Sequence, residues 1–121
     1  AAESIDLVIR GTRVLARASV RAIDLGEHVP DLVTEAIRDL AAATMVLDRH
    51  LSDPGPDSPA VDAALRAAAR ASAALEQTGN LSVNMIVGQV RATATDLLLG
   101  LGLSSEEAIA RVRSAREDLQ I

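Results

Sequence analysis

Residues 82–103 read SVNMIVGQVRATATDLLLGLGL. Within this run Val83, Ile86, Val87, Val90, Ala94, Leu97 and Leu98 recur at intervals of three and four. At about 100° per residue these positions share one face, so the run predicts an amphipathic helix rather than a strand, whose face would repeat every second residue. Ser82 stands where an N-cap hydroxyl accepts from the first turn, and Gly100 and Gly102 supply the stop.

The same period extends outward in both directions. A first helix is predicted over residues 4–25, with Ile5, Val8, Ile9, Leu15, Ala16, Ala22 and Ile23 on one broad face and Gly26 as its C-terminal stop. Pro30 suits the first turn of a second helix reaching residue 51, whose seam is Val33, Ala36, Ile37, Leu40, Ala43, Thr44, Leu47 and Leu51. Residues 52–57, SDPGPD, form a connection, because two prolines and a glycine forbid regular structure. Ser58 and Pro59 open a third, alanine-rich helix that Gly79 and Asn80 end. Ser104 and Glu107 form a capping box before a fifth, with Ala108, Val112, Ala115 and Leu119 on its inner face. The expectation is one all-α domain over residues 1–121: an up-and-down antiparallel bundle of four helices with a fifth, C-terminal helix on its side or end.

Composition narrows the chemistry. The 121 residues include no Cys, Trp, Tyr or Phe, so the core must be Ala, Leu, Val and Ile, and thiolate catalysis, disulfides and zinc ribbons are excluded. All 12 basic residues are Arg, which together with the abundance of Ala suggests a GC-rich, actinobacterial genome. A net charge of −5 and the lack of aromatic stacking platforms argue against nucleic acid as a partner. No stretch approaches the roughly 18 apolar residues that span a bilayer. The sequence opens Ala1-Ala2-Glu3 without an initiator Met, which suggests a soluble piece of a longer protein.

Charge is unevenly placed: residues 1–25 carry +1, residues 26–62 carry −6, residues 63–103 carry +1 and residues 104–121 carry −1. Arg10, Arg13, Arg17 and Arg21, spaced by three and four, form one stripe on the first helix. Such a stripe could engage an anionic lipid surface or another anion through bidentate guanidinium contacts. Its plainer reading is a solvated face paired with Asp31, Glu35 and Asp39, which are expected on the outer face of the second helix.

Those three carboxylates lack the Glu-x-x-His partners of a dimetal bundle, and His28 and His50 alone are too few for a zinc site. His50, near a helix end, raises phosphotransfer, although a surface histidine explains it as well. Ser19, Ser72 and Thr93 sit in apolar helical contexts without a neighbouring base, no G-x-S-x-G elbow occurs, and a phosphate loop of the Walker type needs a Lys. No catalytic residue, cofactor or metal is assigned, and the chain reads as non-enzymatic.

One run is more specific than composition. Val87-Gly88-Gln89-Val90-Arg91-Ala92-Thr93-Ala94-Thr95-Asp96-Leu97-Leu98, followed by Gly102-Leu103 and Glu107-Ala108, resembles the C-terminal end of bacterial membrane proteins of the fusaric-acid-resistance type, the aromatic acid exporter family. The family pattern is similar to V-x-x-Q-V-R-S-x-A-x-D-L-L, and this chain has Ala92 where Ser is common. The resemblance implies a helical domain on the cytoplasmic side of the inner membrane, attached to a transmembrane half that exports small aromatic acids. It implies that the domain's own membrane region and an anionic lipid surface are its partners.

The matching positions Gln89, Arg91 and Asp96 border the apolar stripe. They could tie this helix to its neighbours, with Gly88 permitting close contact, or Arg91 could meet a carboxylate ligand. A homodimer through alanine faces of the third and fifth helices is a further expectation, and a free-standing adaptor that binds a partner protein is the competing class.

Overall fold

The computed structural model describes residues 2–52 and 58–118. Within them the chain folds as α1 (Ala2–Asp24), α2 (Asp31–Ser52), α3 (Ser58–Ala74), α4 (Leu81–Gly100) and α5 (Ser105–Asp118), and no strand occurs among the described residues. The predicted all-α bundle of four helices plus a fifth is therefore the observed class of fold.

Local chemistry sets the helix ends. After α1, Gly26 adopts φ 67°, and the bonds Gly26 N–H to Ile23 O and Glu27 N–H to Ala22 O, each 3.0 Å, close a Schellman motif. Gly102, at φ 102°, repeats the motif after α4 through Gly102 N–H to Leu99 O and Leu103 N–H to Leu98 O, both 3.1 Å. Both glycines sit where a side chain would be strained.

The start of α4 differs from expectation. Asn80, not Ser82, is the N-cap: its side-chain oxygen accepts from Val83 N–H at 2.9 Å. Ser82 lies inside the first turn, buried, and donates to Glu27 Oε1 at 2.9 Å. At α5 the Ser104 hydroxyl accepts from Glu107 N–H at 3.2 Å, as the capping box requires.

Packing is organised around α4, which touches every other helix. All seven positions of its predicted stripe are buried, and Ile86, Leu97 and Leu98 are among the largest fully enclosed side chains. α3 lies against α2, α4 and α5. Its alanines, among them Ala64, Ala67, Ala68, Ala71 and Ala74, are wholly buried, and side chains this small let neighbouring axes approach closely. The alanine face expected to offer a dimer surface on α3 is thus used inside the fold. On α5, Ala108, Val112 and Ala115 are buried. Of the predicted seam ends, Leu119 and the side chain of Leu51 lie outside what is described.

α1 is seated differently. Among the described helices it packs on α4 alone, and no Cα of α1 comes within 8 Å of one in α2. The pair still runs antiparallel, since residues 5–9 face residues 44–49, and residues 12–19 face residues 37–44. In the up-and-down bundle expected from the sequence α1 would pack on α2, and it does not for a physical reason. α1 is drawn to α4 and α2 to α3, so the two diverge.

Candidate functional site

The seat of α1 on α4 is made by Gly11. A Cβ at this buried position would collide with Thr93 Oγ1 and come within 3.0 Å of Gln89 Nε2, so the glycine sets the distance between the two helices. Gln89 donates to Thr93 Oγ1 at 3.2 Å and lines the same contact. Farther along, Asn80 Nδ2 donates to His28 O at 3.0 Å, and together with the Ser82–Glu27 bond this ties the connection after α1 to the start of α4.

Gly88, expected to be the close-contact residue, is exposed, and a Cβ at this position would meet nothing within 4 Å, because it lies on the face of α4 turned away from α1. Gly11 was legible as a candidate, since it falls between Val8 and Leu15 on the inner arc of α1. What it meets was not.

Only part of the predicted apolar face of α1 is covered. Val8, Leu15 and Ala22 are buried, whereas Ile9 and Ala16 are exposed and Ile23 is 75 % exposed. Val20 adds to this open strip at 58 %. At Ile9 and Ala16 the strip faces α2 across a cleft with Leu15, Leu40 and Thr93 at its bottom. One end encloses about 610 Å³ between Ile5, Val8, Ile9 and Met45, and the other about 420 Å³ between Ala16, Ile37 and Ala41. Thr44 borders both parts, so the cleft is continuous.

Arg10, Arg13, Arg17 and Arg21 are all exposed on the side of α1 away from α4. None has a carboxylate partner among the described residues. The expected pairing with α2 is replaced by pairing between α2 and α3. Asp39, whose side chain is 13 % exposed, accepts from Arg70 Nη1 at 2.7 Å and lies 3.7 Å from Arg66 Nε, while Glu35 lies 3.9 Å from Arg70. Glu35 and Asp39 are thus turned toward α3 rather than outward, because α3 and not α1 is the neighbour of α2.

Gln89, Arg91 and Asp96 do not form one site. Gln89 and Asp96 share a line on α4, and Arg91 lies on the opposite flank, where Nη1 donates to Ser72 Oγ of α3 at 3.4 Å. The hollow beside Arg91, bordered by Arg113 and Ile109, holds about 200 Å³. Small-molecule sites begin at about 300 Å³. Asp96 is half-buried, and burial raises its carboxyl pKa above the ordinary value.

His28 is exposed, and the side chain of His50 lies outside the described residues. No group of three or more His, Cys, Asp or Glu able to hold a metal ion occurs among the described residues. Nor is any described helix long and apolar enough to cross a membrane. No family model, no curated protein sequence and no solved structure matches this chain significantly.

Proposed function

We propose that this chain is a non-enzymatic helical domain attached to a bacterial membrane transporter of the aromatic-acid-exporter type, where it serves assembly, gating or regulation on the cytoplasmic side. The resemblance of α4 supports the family, and one observation carries the contact with the membrane. Four arginines stand outward on α1 with no carboxylate partner among the described residues, beside the exposed Val20 and Ile23. Anionic head groups attract such a face at about 1 kcal/mol per arginine near the surface, and the adjacent apolar side chains reach the acyl boundary.

Co-sedimentation with phosphatidylglycerol vesicles at low and high salt tests this reading. Binding that salt weakens, and that vanishes when Arg10, Arg13, Arg17 and Arg21 are changed to Gln, supports it. Equal recovery of both proteins in the supernatant refutes the membrane contact.

A free-standing adaptor is the second reading, favoured by the continuous cleft between α1 and α2. Alkaline carbonate extraction of membranes from the source cells separates the two. A domain that stays in the pellet belongs to an integral membrane protein, and one released to the supernatant is an adaptor.

A further inference from the structure

The cleft between α1 and α2 has walls of one kind and rims of another. Three polar side chains of its walls are satisfied by their own helices. Thr12 donates to Val8 O at 2.9 Å, Ser19 to Leu15 O at 2.8 Å and Thr44 to Leu40 O at 2.8 Å. Among the described residues the interior therefore presents mainly methyl and methylene surface, without the convergent free donors that fix a small polar ligand.

Polar recognition is left to the rims. On α1, Arg13 and Arg17 stand beside the wall residues Ile9 and Ala16 at helical spacing. On α2, Arg38, Met45 and Arg49 fall in one line, and Met45 and Arg49 border the cleft. None of these four arginines is paired with a carboxylate among the described residues. Between Leu7 and Ile23, α1 carries no acid at all. In a protein of net charge −5, Arg13 and Arg17 on one side and Arg38 and Arg49 on the other thus edge the described part of an apolar trough, with Asp6 at its end beside Ile5.

We propose that this cleft is a docking groove for an amphipathic helix of a partner protein, one whose apolar stripe is bordered on both edges by Asp or Glu. The shape favours a rod. The trough runs along α1 from Ile5 to Ser19, roughly 21 Å at 1.5 Å per residue, and lies between two antiparallel helices, as a third helix packed into their groove requires. A flat bilayer would cover the rims but leave Leu15, Leu40 and Thr93 at the bottom untouched. A second copy would set cationic rim against cationic rim. Helix-in-groove recognition uses apolar anchors at i, i+3, i+4 and i+7, and flanking charges choose the partner. The inference holds whether the domain is tethered to a membrane half or free-standing.

The chain's lack of Trp, Tyr and Phe gives a direct test, because a single Trp in a probe peptide is then the only fluorophore. The probe is a synthetic helix of about 18 residues, roughly 27 Å long, with Leu and one Trp on its apolar face and Glu along both edges. A second peptide carries Lys at the edge positions. Titration with the domain shifts Trp emission to the blue for the Glu peptide, and the Lys peptide binds about tenfold more weakly or worse.

Changing Arg13, Arg17, Arg38 and Arg49 together to Gln makes the two peptides equal. Ala16→Glu with Ala41→Glu, at two exposed wall positions, abolishes binding of the Glu peptide while the circular dichroism of the domain is unchanged. The proposal is overturned if neither peptide shifts, if both bind the wild type equally, or if the wall variant binds undiminished. It is also overturned if the wall variant instead abolishes a dimer seen by sedimentation or the binding of phosphatidylglycerol vesicles, with the Glu peptide inert. The first outcome assigns the cleft to a second copy and the second to lipid.

Discussion

Two glycines in helical interiors have opposite meanings. Gly11 is pressed against Thr93, whereas Gly88 looks into open space. Gly11→Ala forces α1 away from α4 and is expected to destabilise by about 1–3 kcal/mol, the usual cost of overpacking. Thr93→Ala in the same chain removes the oxygen in the way and should recover part of that loss. Gly88→Ala only reduces backbone freedom, so a gain of roughly 0.5–1 kcal/mol is expected. Urea unfolding of the variants reads each difference.

Asp96 supplies a test in pH. Its carboxyl has a higher pKa in the folded chain than in the unfolded one, so the folded state holds the proton more tightly. Stability therefore falls as pH rises from the unfolded value through the folded one. Asp96→Asn is expected to unfold at a higher temperature than wild type at neutral pH, with the advantage closing below the ordinary carboxylate range of about 3.9. An advantage independent of pH would mean that the charge is not its source. Helical spacing alone placed Gln89, Arg91 and Asp96 at the border of the apolar face. It could not say that Arg91 reaches Ser72 while Asp96 sits on the other flank, because those facts depend on which helix lies on which side.

Among the elements, the helices and their glycine stops were readable from apolar period and end chemistry. The cap of α4 was not, since Asn80 and Ser82 are both good capping residues two positions apart. The hydroxyl of Ser82 is claimed by Glu27, from a distant part of the chain, and this leaves the cap to Asn80. Ion pairing was misjudged for a related reason. Sequence proximity set the carboxylates of α2 against the arginines of α1, but the structure places Glu35 and Asp39 against α3. Asp39, largely buried and bonded to Arg70, should matter most: Asp39→Ala is expected to destabilise by about 1–3 kcal/mol, since it strands a half-buried guanidinium. Glu35→Ala, at a half-exposed and longer contact, should stay within about 0.5 kcal/mol. Thermal or chemical unfolding of the pair decides whether burial or mere proximity gives the bridge its weight.

For the molecule as a whole, the all-α class followed from composition and period, while the open cleft did not. A wheel shows which residues of α1 are apolar, but the number of neighbours that arrive to cover them is a tertiary fact. Here only one does. α2, α3, α4 and α5 contact one another as a connected group, and α1 joins them along a single seam that links Gly11 to Thr93 across about two thirds of the chain. That asymmetry in space implies an order in time. Closing so long a loop is entropically slow, so the four later helices should assemble first, with α1 the last to arrive and the first to leave. Native-state hydrogen exchange would register this as amides of α1 opening together, well below the free energy needed to open α3 and α4.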